Sequence, residues 1–357
     1  MLRLSSPRRL AVLLALTAAG CGRDHNLGAG GGGASSTSNS TTTSVVSSSA
    51  GTGGAPSSSS SGAGGAGGDP EPAGTIKLTV VNGVVDYPAV RLCFLPGDTP
   101  WPASASGLAF AGSQVVASLA SAIPIDGDVT PWVIAGDLTQ TAGKTCAQIL
   151  ALAAPGDAGP QPVIARPLAV IPKVVWSSNK SLLLVPNGCL GGPGHDDANG
   201  KLACGNGYTS TSPTAGVALV SMSRIADAGH VSLQVVGAST ALPEVDVGVL
   251  PNLTDAMPKV FAATVSQGAI VPKPPFSGLT VAELGPLDGV QIQTFTPSST
   301  LMSSAVPLSK IFANGGPGAP AVVNGARLVL VAVGAGPGLA TASWWHELTY
   351  ALVAADP

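Results

Sequence analysis

Residues 76–96 read IKLTVVNGVVDYPAVRLCFLP, and residues 231–251 read VSLQVVGASTALPEVDVGVLP. The two stretches align without a gap, and each contains an alternating strand, a short turn, a proline and a second alternating strand. Alternation places successive side chains on opposite faces, so we expect each strand to have one buried and one solvent-facing side. The aligned pairs are Val80 with Val235, Val81 with Val236, Pro88 with Pro243, Val90 with Val245, Leu92 with Val247, Phe94 with Val249 and Pro96 with Pro251.

A second, weaker sequence similarity between the halves occurs later in each half of the chain. Residues 181–185 (SLLLV) precede Gly-Gly-Pro-Gly at 191–194, and residues 327–331 (RLVLV) precede Ala-Gly-Pro-Gly at 335–338. Each copy reads as a buried strand that enters a Gly/Pro loop. Because the features follow in the same order in both halves, the sequence predicts two tandem domains of common ancestry.

The fold class follows from these short strands and their turns. The sequence predicts an all-β protein with two tandem immunoglobulin-like antiparallel β-sandwich domains, residues 75–226 and 227–357, after a disordered tether. A parallel α/β sheet would need amphipathic helices between its strands. The only fair helix candidates are short and lie at residues 145–153 and 307–313.

The first strand pair resembles the opening of a bacterial cell-envelope repeat family of unknown function, whose strands read roughly R-V-V-N-A-S-P-D-A-P-A-V-D-V. Residues 80–82 (VVN) and 88–90 (PAV) carry the likeness in the first copy. Arg91 stands where that family has Asp, and Gly237 stands where it has Asn. The resemblance implies an immunoglobulin-like sandwich on secreted or anchored proteins, and it implies no activity. In the second copy the matching residues are Val235, Val236, Ala238, Pro243, Val245, Asp246 and Val247.

The N-terminus has the pattern of a lipoprotein signal peptide, residues 1–20. A positive segment precedes the apolar run LAVLLALTAA, and residues 18–21 (AAGC) resemble the lipobox, with Ala18 in place of the usual Leu. We therefore expect a membrane lipid on Cys21, although a plain secretory signal with a chance cysteine is the alternative. Since Gly22 is not the Asp that commonly marks inner-membrane retention, the expected location is the cell envelope, with a preference for the outer membrane.

Residues 21–74 contain the lipidated Cys21 and a run that is nearly all Gly, Ser, Thr and Ala. Such a segment has almost nothing to bury and is expected to be disordered. A Gly/Ser chain of this length has a root-mean-square span of roughly 40 Å. The sequence therefore predicts a tether between the lipid and the folded domains.

Four further cysteines are present: Cys93, Cys146, Cys189 and Cys204. An exported compartment is oxidising, so an even number suggests two disulfides. Three pairings are open, and we favour the two that join neighbours in order, Cys93–Cys146 and Cys189–Cys204. A Cys₄ zinc site is disfavoured because no pair has C-x-x-C spacing.

Composition excludes some functions. Charged residues make up 10% of the chain and the formal net charge is −3, whereas a nucleic-acid binder needs a basic face. No phosphate-binding, dinucleotide-binding or nucleophile-elbow motif is complete, so we expect no cofactor.

Two segments are candidate binding sites. Asp196, Asp197 and Asn199 offer oxygen ligands in a polar loop that faintly resembles a calcium loop, although a solvated loop closed by a disulfide is the favoured reading. Trp344 and Trp345 are candidates for a surface that binds a partner or a glycan. The favoured reading is ordinary packing, in which strand alternation turns one Trp to the core and the other to solvent.

Two functions remain open. The leading hypothesis is a non-enzymatic, membrane-anchored module with a structural, adhesion or binding role, whose partner is an envelope protein or polysaccharide. The second is an envelope hydrolase, or a glycan-binding protein, with a site built from loops. A hydrolase needs its histidines to converge in a pocket, and the choice lies among His195, His230 and His346.

Overall fold

The computed structural model of the chain describes residues 76–154, 162–176, 180–195, 197–242, 244–251, 258–274, 276, 278–285, 287–296, 302–315, 319–336, 339 and 344–355, with the backbone alone at 197–199 and 302–303. The signal peptide, Cys21, the tether and Asp196 lie outside these residues. No helix in the described part is both long and apolar enough to cross a membrane.

The described residues form four β-sheets, which confirms the predicted all-β class. Sheet I has the order β5-β1-β8-β9, and sheet II has the order β4-β3-β6-β7; β2 extends the line of β1 beside β8. These two sheets pack face to face as the first sandwich. Its strands are β1 Lys77–Val81, β2 Gly83–Val84, β3 Ala89–Leu95, β4 Leu108–Ala109, β5 Ser113–Val115, β6 Thr130–Gly136, β7 Val163–Pro167, β8 Ser181–Gly188 and β9 Gly216–Met222.

The second sandwich repeats this arrangement. Sheet III has the order β13-β10-β16-β17, and sheet IV has the order β12-β11-β14-β15. The order of sheet III matches that of sheet I strand for strand, and sheet IV matches sheet II. Its strands are β10 Ser232–Gly237, β11 Glu244–Leu250, β12 Lys259–Ser266, β13 Ile270–Val271, β14 Gln291–Phe295, β15 Met302–Pro307, β16 Arg327–Val333 and β17 Thr349–Ala354.

The register of the strands supports the repeat at the level of single residues. Val80 lies beside Leu184 in the first sandwich, and Val235 lies beside Leu330 in the second. Both pairs are parallel, so neither sandwich is purely antiparallel as the sequence had suggested. A parallel pair needs a long crossover. Here the crossover contains the whole second sheet of the sandwich, which is sheet II between β1 and β8 and sheet IV between β10 and β16.

Both predicted helices occur. The first, α2, has Thr145 as its N-cap, and the side chains of Thr145 and Gln148 each accept the other's backbone N–H in a capping box. The second, α4, extends two residues beyond the predicted end. The remaining helical segments were not predicted. The helices are α1 Leu119–Ala122, α2 Cys146–Ala153, α3 Asp197–Cys204 and α4 Leu308–Gly315, with 3-10 turns at Leu138–Thr141, Lys173–Trp176 and Val281–Leu284.

Sheets I and III are buried on both of their faces. One face of each contributes to the core of its own sandwich. The other faces pack against each other in a third apolar layer, which we call the shared core. The expectation of a solvent-facing side on β1 and β10 is therefore wrong, because the sandwiches bury it between them. The matching members of the shared core are Val81, Leu183 and Val185 from sheet I and Val236, Val329 and Val331 from sheet III.

The two halves contact each other symmetrically through this layer. Strand β5 contacts β17, and β9 contacts β13. Strand β5 is equivalent to β13, and β9 is equivalent to β17. The β5–β17 contact is therefore equivalent to the β13–β9 contact when the two halves are exchanged. The arrangement is that of a two-fold homodimer interface within one chain.

The structure explains why the two copies differ at the Asn position of the motif. Asn82 is buried; its Oδ1 accepts the N–H of Val84 and its Nδ2 donates to the carbonyl of Leu108, each at 3.0 Å. In the second copy a Cβ on Gly237 would lie 2.6 Å from the carbonyl oxygen of Ser266. That distance excludes any side chain, so glycine replaces asparagine there.

The Arg and Asp at the next variable position also have different structural roles. The guanidinium of Arg91 is buried and donates to the carbonyls of Pro102 and Thr141 and to the hydroxyl of Thr141. Burial lowers the pKa of Arg91. In the second copy, Oδ1 of Asp246 accepts the N–H of Thr264 at 2.7 Å, at an irregularity in the β11–β12 pairing.

Replacing Leu183 with Ala tests whether the shared core holds both sandwiches. Leu183 is fully buried in this layer, so the cavity should lower the free energy of unfolding by about 2–5 kcal/mol. We expect one thermal transition, shifted as a whole, in calorimetry. Leu202→Ala is the matched control, because Leu202 is 59% exposed and its loss should change stability by less than about 0.5 kcal/mol. Two separate transitions, with only one shifted, would contradict this account.

Candidate functional site

Aromatic residues gather at one end of the shared core. The chain has only 14 of them (5 Trp, 3 Tyr and 6 Phe) and 4 histidines. Five of these rings form one continuous set of contacts, and a separate stacked pair lies beside the same pocket; we call the seven residues together the aromatic cluster. Its members are Tyr87, Phe110, His195, Tyr208, Trp344, Trp345 and His346.

Most residues of the aromatic cluster lie on three connections between strands. They are the turn from β2 to β3, the connection from β8 to β9, and the connection from β16 to β17. The last two are equivalent in the two sandwiches, and they meet because β8 and β16 lie in the two sheets that enclose the shared core. The N–H of His346 donates to the carbonyl of Val85 at 2.9 Å, which joins the second sandwich to the turn of the first.

A cavity of about 320 Å³ opens between these connections. Its volume is at the lower end of the range for small-ligand sites. Most of the described residues that line it carry rings, and one of them carries a carboxylate. The lining residues are Asp86, Tyr87, Pro88, His195, Trp344, Trp345 and His346.

Asp86 is the charged centre of the site, and its side chain is fully buried. Oδ1 accepts the N–H of Leu190 at 3.0 Å, and Oδ2 accepts the N–H of Gly191 at 2.8 Å. Oδ2 also lies 3.1 Å from Nδ1 of His195. The direction of this last approach does not make a well-aligned hydrogen bond, so we treat it as an electrostatic contact that orients the ring. The carboxylate thus fixes both the start of the β8–β9 connection and His195.

Tyr87 closes one side of the pocket. Its hydroxyl donates to the carbonyl of Gly191 at 2.8 Å. Burial, and secondly the charge of Asp86, raise the pKa of Tyr87 well above its usual value, so the phenol stays protonated. Gly192 makes this approach of the backbone feasible: its φ is +130°, and a Cβ there would lie 2.7 Å from the Tyr87 hydroxyl.

The tryptophan pair belongs to the same pocket. Trp344 stacks on His195 with ring centroids 4.9 Å apart, and on Tyr208 at 6.1 Å. Trp345 meets Trp344 edge-on at 4.7 Å. Both tryptophans are half-buried and precede β17. Both pack against the buried cluster around Tyr208, as ordinary packing predicts, but the expectation that strand alternation would turn one to the core and the other to solvent is wrong.

The cysteines pair as the sequence predicted, Cys93 with Cys146 and Cys189 with Cys204. The first disulfide joins β3 to α2 on the outer side of sheet II. The second closes the connection that carries His195, and Cys204 is the last residue of α3. This disulfide therefore limits the movement of one wall of the pocket.

The calcium hypothesis stays a prediction. Asp196 and the side chains of Asp197 and Asn199 lie outside the described residues, while the backbone from Asp197 onward forms α3. In the described part of the chain, no group of three or more His, Cys, Asp or Glu side chains is arranged to hold a metal ion.

The three candidate histidines separate into two places. His195 and His346 line the pocket, and His346 also stacks on Phe110 with ring centroids 4.2 Å apart. His230 lies elsewhere, with Nδ1 2.8 Å from Oδ2 of Asp227 and a side chain that is 41% exposed. His195 and His346 therefore lie together in the pocket, as a hydrolase would require, whereas His230 does not.

Sequence reasoning missed Asp86, Tyr87, Phe110 and Tyr208. They are far apart along the chain, so no local motif joins them. A faint signal did exist, because the Asp86 and Tyr87 positions fall on Ala241 and Leu242 in the gapless alignment of the two copies. A polar pair that occurs in only one of the two similar stretches marks a position where the two stretches differ in chemistry.

No protein-family model matches the chain, and no curated protein matches it either. The likeness to the envelope repeat family therefore stays a prediction from the strand motif.

The protonation of His346 gives a pH-dependent test of the site. Burial lowers the pKa of His346, and the charge of Asp86 opposes this only in part. The unfolded chain therefore takes up this proton at a higher pH than the folded chain. The stability contributed by neutral His346 should be complete above about pH 6.5 and should be lost as the pH falls from there through the lower folded pKa.

NMR titration of the His346 ring protons should give a midpoint below about 6.5. His346→Gln should flatten the pH dependence of the unfolding free energy in that window. His230→Gln is the control, because His230 is outside the pocket, and it should leave the His346 midpoint unchanged. A His346 midpoint at or above the value of free histidine would contradict the prediction.

Proposed function

We propose that the chain is a lipid-anchored protein of the cell envelope, and that its paired sandwiches present a binding site, the aromatic pocket, to an envelope polysaccharide or protein. One observation carries the binding role. In a chain with few aromatic residues, two half-buried tryptophans, a tyrosine and two histidines line a single cavity.

Trp344 and Trp345 pack against the buried cluster around Tyr208, and Tyr87 packs against the core of the first sandwich, but none of these rings belongs to the shared core. The shared core consists of aliphatic side chains, with only Phe110 packed at its border. Both indoles still leave part of their surface in water at the cavity, and because apolar surface in water costs roughly 25 cal/mol per Å², covering that part would favour ligand binding. Trp and Tyr are also the residues on which binding free energy concentrates at interfaces.

The chemistry of the pocket favours binding over hydrolysis. Both oxygens of Asp86 accept backbone N–H groups, so this carboxylate is a poor acid or base for a substrate. Among the described residues that line the pocket, only Tyr87 carries a hydroxyl. That hydroxyl donates to a carbonyl and has a raised pKa, which makes it a weak nucleophile.

A hydrolase remains the second candidate because of one contact. The carboxylate of Asp86 lies 3.1 Å from Nδ1 of His195, and a His oriented by a carboxylate is the usual general base of hydrolytic sites. Such an enzyme would use His195 to activate water directly. Release of reducing ends from envelope polysaccharide by the wild-type protein, with loss in His195→Phe, would support it over the binding proposal.

The anchoring part of the proposal rests on the N-terminal motif. A triacylated cysteine adds several acyl chains, and each buried CH₂ contributes about 0.8 kcal/mol, so release from the membrane should be negligible. We expect Cys21→Ser to abolish incorporation of labelled palmitate and to move the protein out of the membrane fraction. Cys93→Ser is the control, since it removes a cysteine of the folded part. Labelling that persists in Cys21→Ser would exclude the anchor.

The binding part is tested with Trp345→Ala in the full-length protein. Loss of this indole should weaken retention on immobilised envelope polysaccharide by about tenfold or more, because a hot-spot tryptophan contributes about 2 kcal/mol or more. Trp132→Ala is the matched control: Trp132 is also half-buried, but it packs on the outer side of sheet II. Equal retention of both variants would place the binding site elsewhere.

A further inference from the structure

We infer that the ligand of the aromatic pocket is an uncharged sugar ring, one of whose hydroxyls donates a hydrogen bond to Nε2 of His195. The inference rests on the proposed binding function and names the chemical class that the site fits. Three properties of the pocket carry it: its charge balance, the protonation of His195, and its size and walls.

The charge balance points to a neutral ligand. Asp86 is the only carboxylate among the described lining residues; it accepts two backbone N–H groups at 2.8 and 3.0 Å, and the ring of His195 lies 3.1 Å from its Oδ2. A cationic ligand would find no carboxylate among the described lining residues that is not already hydrogen-bonded to the backbone. An anionic ligand would approach a buried negative charge, which is unfavourable in a site of low polarity.

The position of Asp86 sets which nitrogen of His195 carries the proton. A carboxylate only accepts, so it favours the tautomer with the proton on Nδ1, which faces it. Nδ1 is buried, and the side chain as a whole is 8% exposed. Nε2 lies on the opposite side of the imidazole and is left as an acceptor. The group that meets it must therefore donate, as the hydroxyl of a sugar does.

The size and walls fit one sugar ring. The cavity of about 320 Å³ is too small for a large drug-like molecule. Trp344 and Trp345 meet at an interplanar angle of 84°, so their rings present two surfaces of different orientation. A pyranose has apolar C–H faces and a polar rim of hydroxyls, and it can pack its faces on rings while the rim reaches His195.

The test uses the full-length protein in detergent micelles and follows tryptophan fluorescence. The probes are glucose, galactose, mannose and N-acetylglucosamine, with indole as a flat apolar probe and tetramethylammonium as a cationic probe. We expect at least one sugar to give a saturable change that is lost in Trp345→Ala and retained in Trp132→Ala. We expect tetramethylammonium to give none.

His195→Phe tests the hydrogen bond, because phenylalanine keeps a ring against Trp344 and removes the nitrogen. The affinity for the sugar should fall about fivefold to tenfold or more, from the loss of one buried hydrogen bond, while indole binding should persist. Persistent indole binding also shows that the pocket of this variant is folded. Nitrogen NMR of the wild-type protein should show an unprotonated Nε2, which is a readout independent of any variant.

Every other outcome contradicts one specific part of the inference. If indole or tetramethylammonium binds and no sugar does, the sugar class is wrong and the pocket still binds, so the proposed function stands. If sugars bind wild type and His195→Phe equally, the role of His195 is wrong. If no probe binds, the sugar inference fails, and the polysaccharide retention of the wild-type protein decides the proposed function separately.

Discussion

The apolar contact between sheets I and III is the constraint on which the rest of the structure depends. It buries the second face of both sheets, so β8 and β16 can be apolar along nearly their whole length. A sandwich on its own would expose these faces to water as a continuous apolar surface, and surfaces of that kind drive association. The chain buries both apolar faces internally, because the second face of each sheet packs against that of the other.

The same constraint explains how much the sequence could predict. Alternation and the gapless alignment of residues 76–96 with 231–251 were sufficient for the all-β class and for the repeat, because strand period and turn spacing are local properties. The short helix α2 was predicted at residues 145–153 and is found at Cys146–Ala153. Cysteine order left three pairings open, and the favoured pairing is the one found. The shared core was not visible, because the pattern of Val80 and Val81 is the same whether the second face meets water or another sheet.

The candidate site was predicted only in fragments. Trp344 and Trp345 were recognisable as a pair, but the carboxylate that organises their pocket is Asp86, more than half the chain away. Helix α3 was missed because Asn199 and Gly200 are poor helix formers, and the disulfide at Cys204 and the packing of Tyr208 override that local preference. Contacts of this range depend on how the two sandwiches face each other, which no local pattern specifies.

The position of the pocket follows from the two-fold symmetry of the halves and from the sequence differences between them. In a two-fold arrangement, equivalent loops meet near the axis, and here the β8–β9 and β16–β17 connections do so. Identical loops would leave a symmetric junction. One connection carries a disulfide and His195, and the other carries the two tryptophans. The turn before β3 supplies Asp86, where the second half has Ala241. The Cys189–Cys204 bridge closes the connection that carries His195, and the N–H of His346 donates to the carbonyl of Val85, so each wall has a link that limits its movement and the ordering that binding would require.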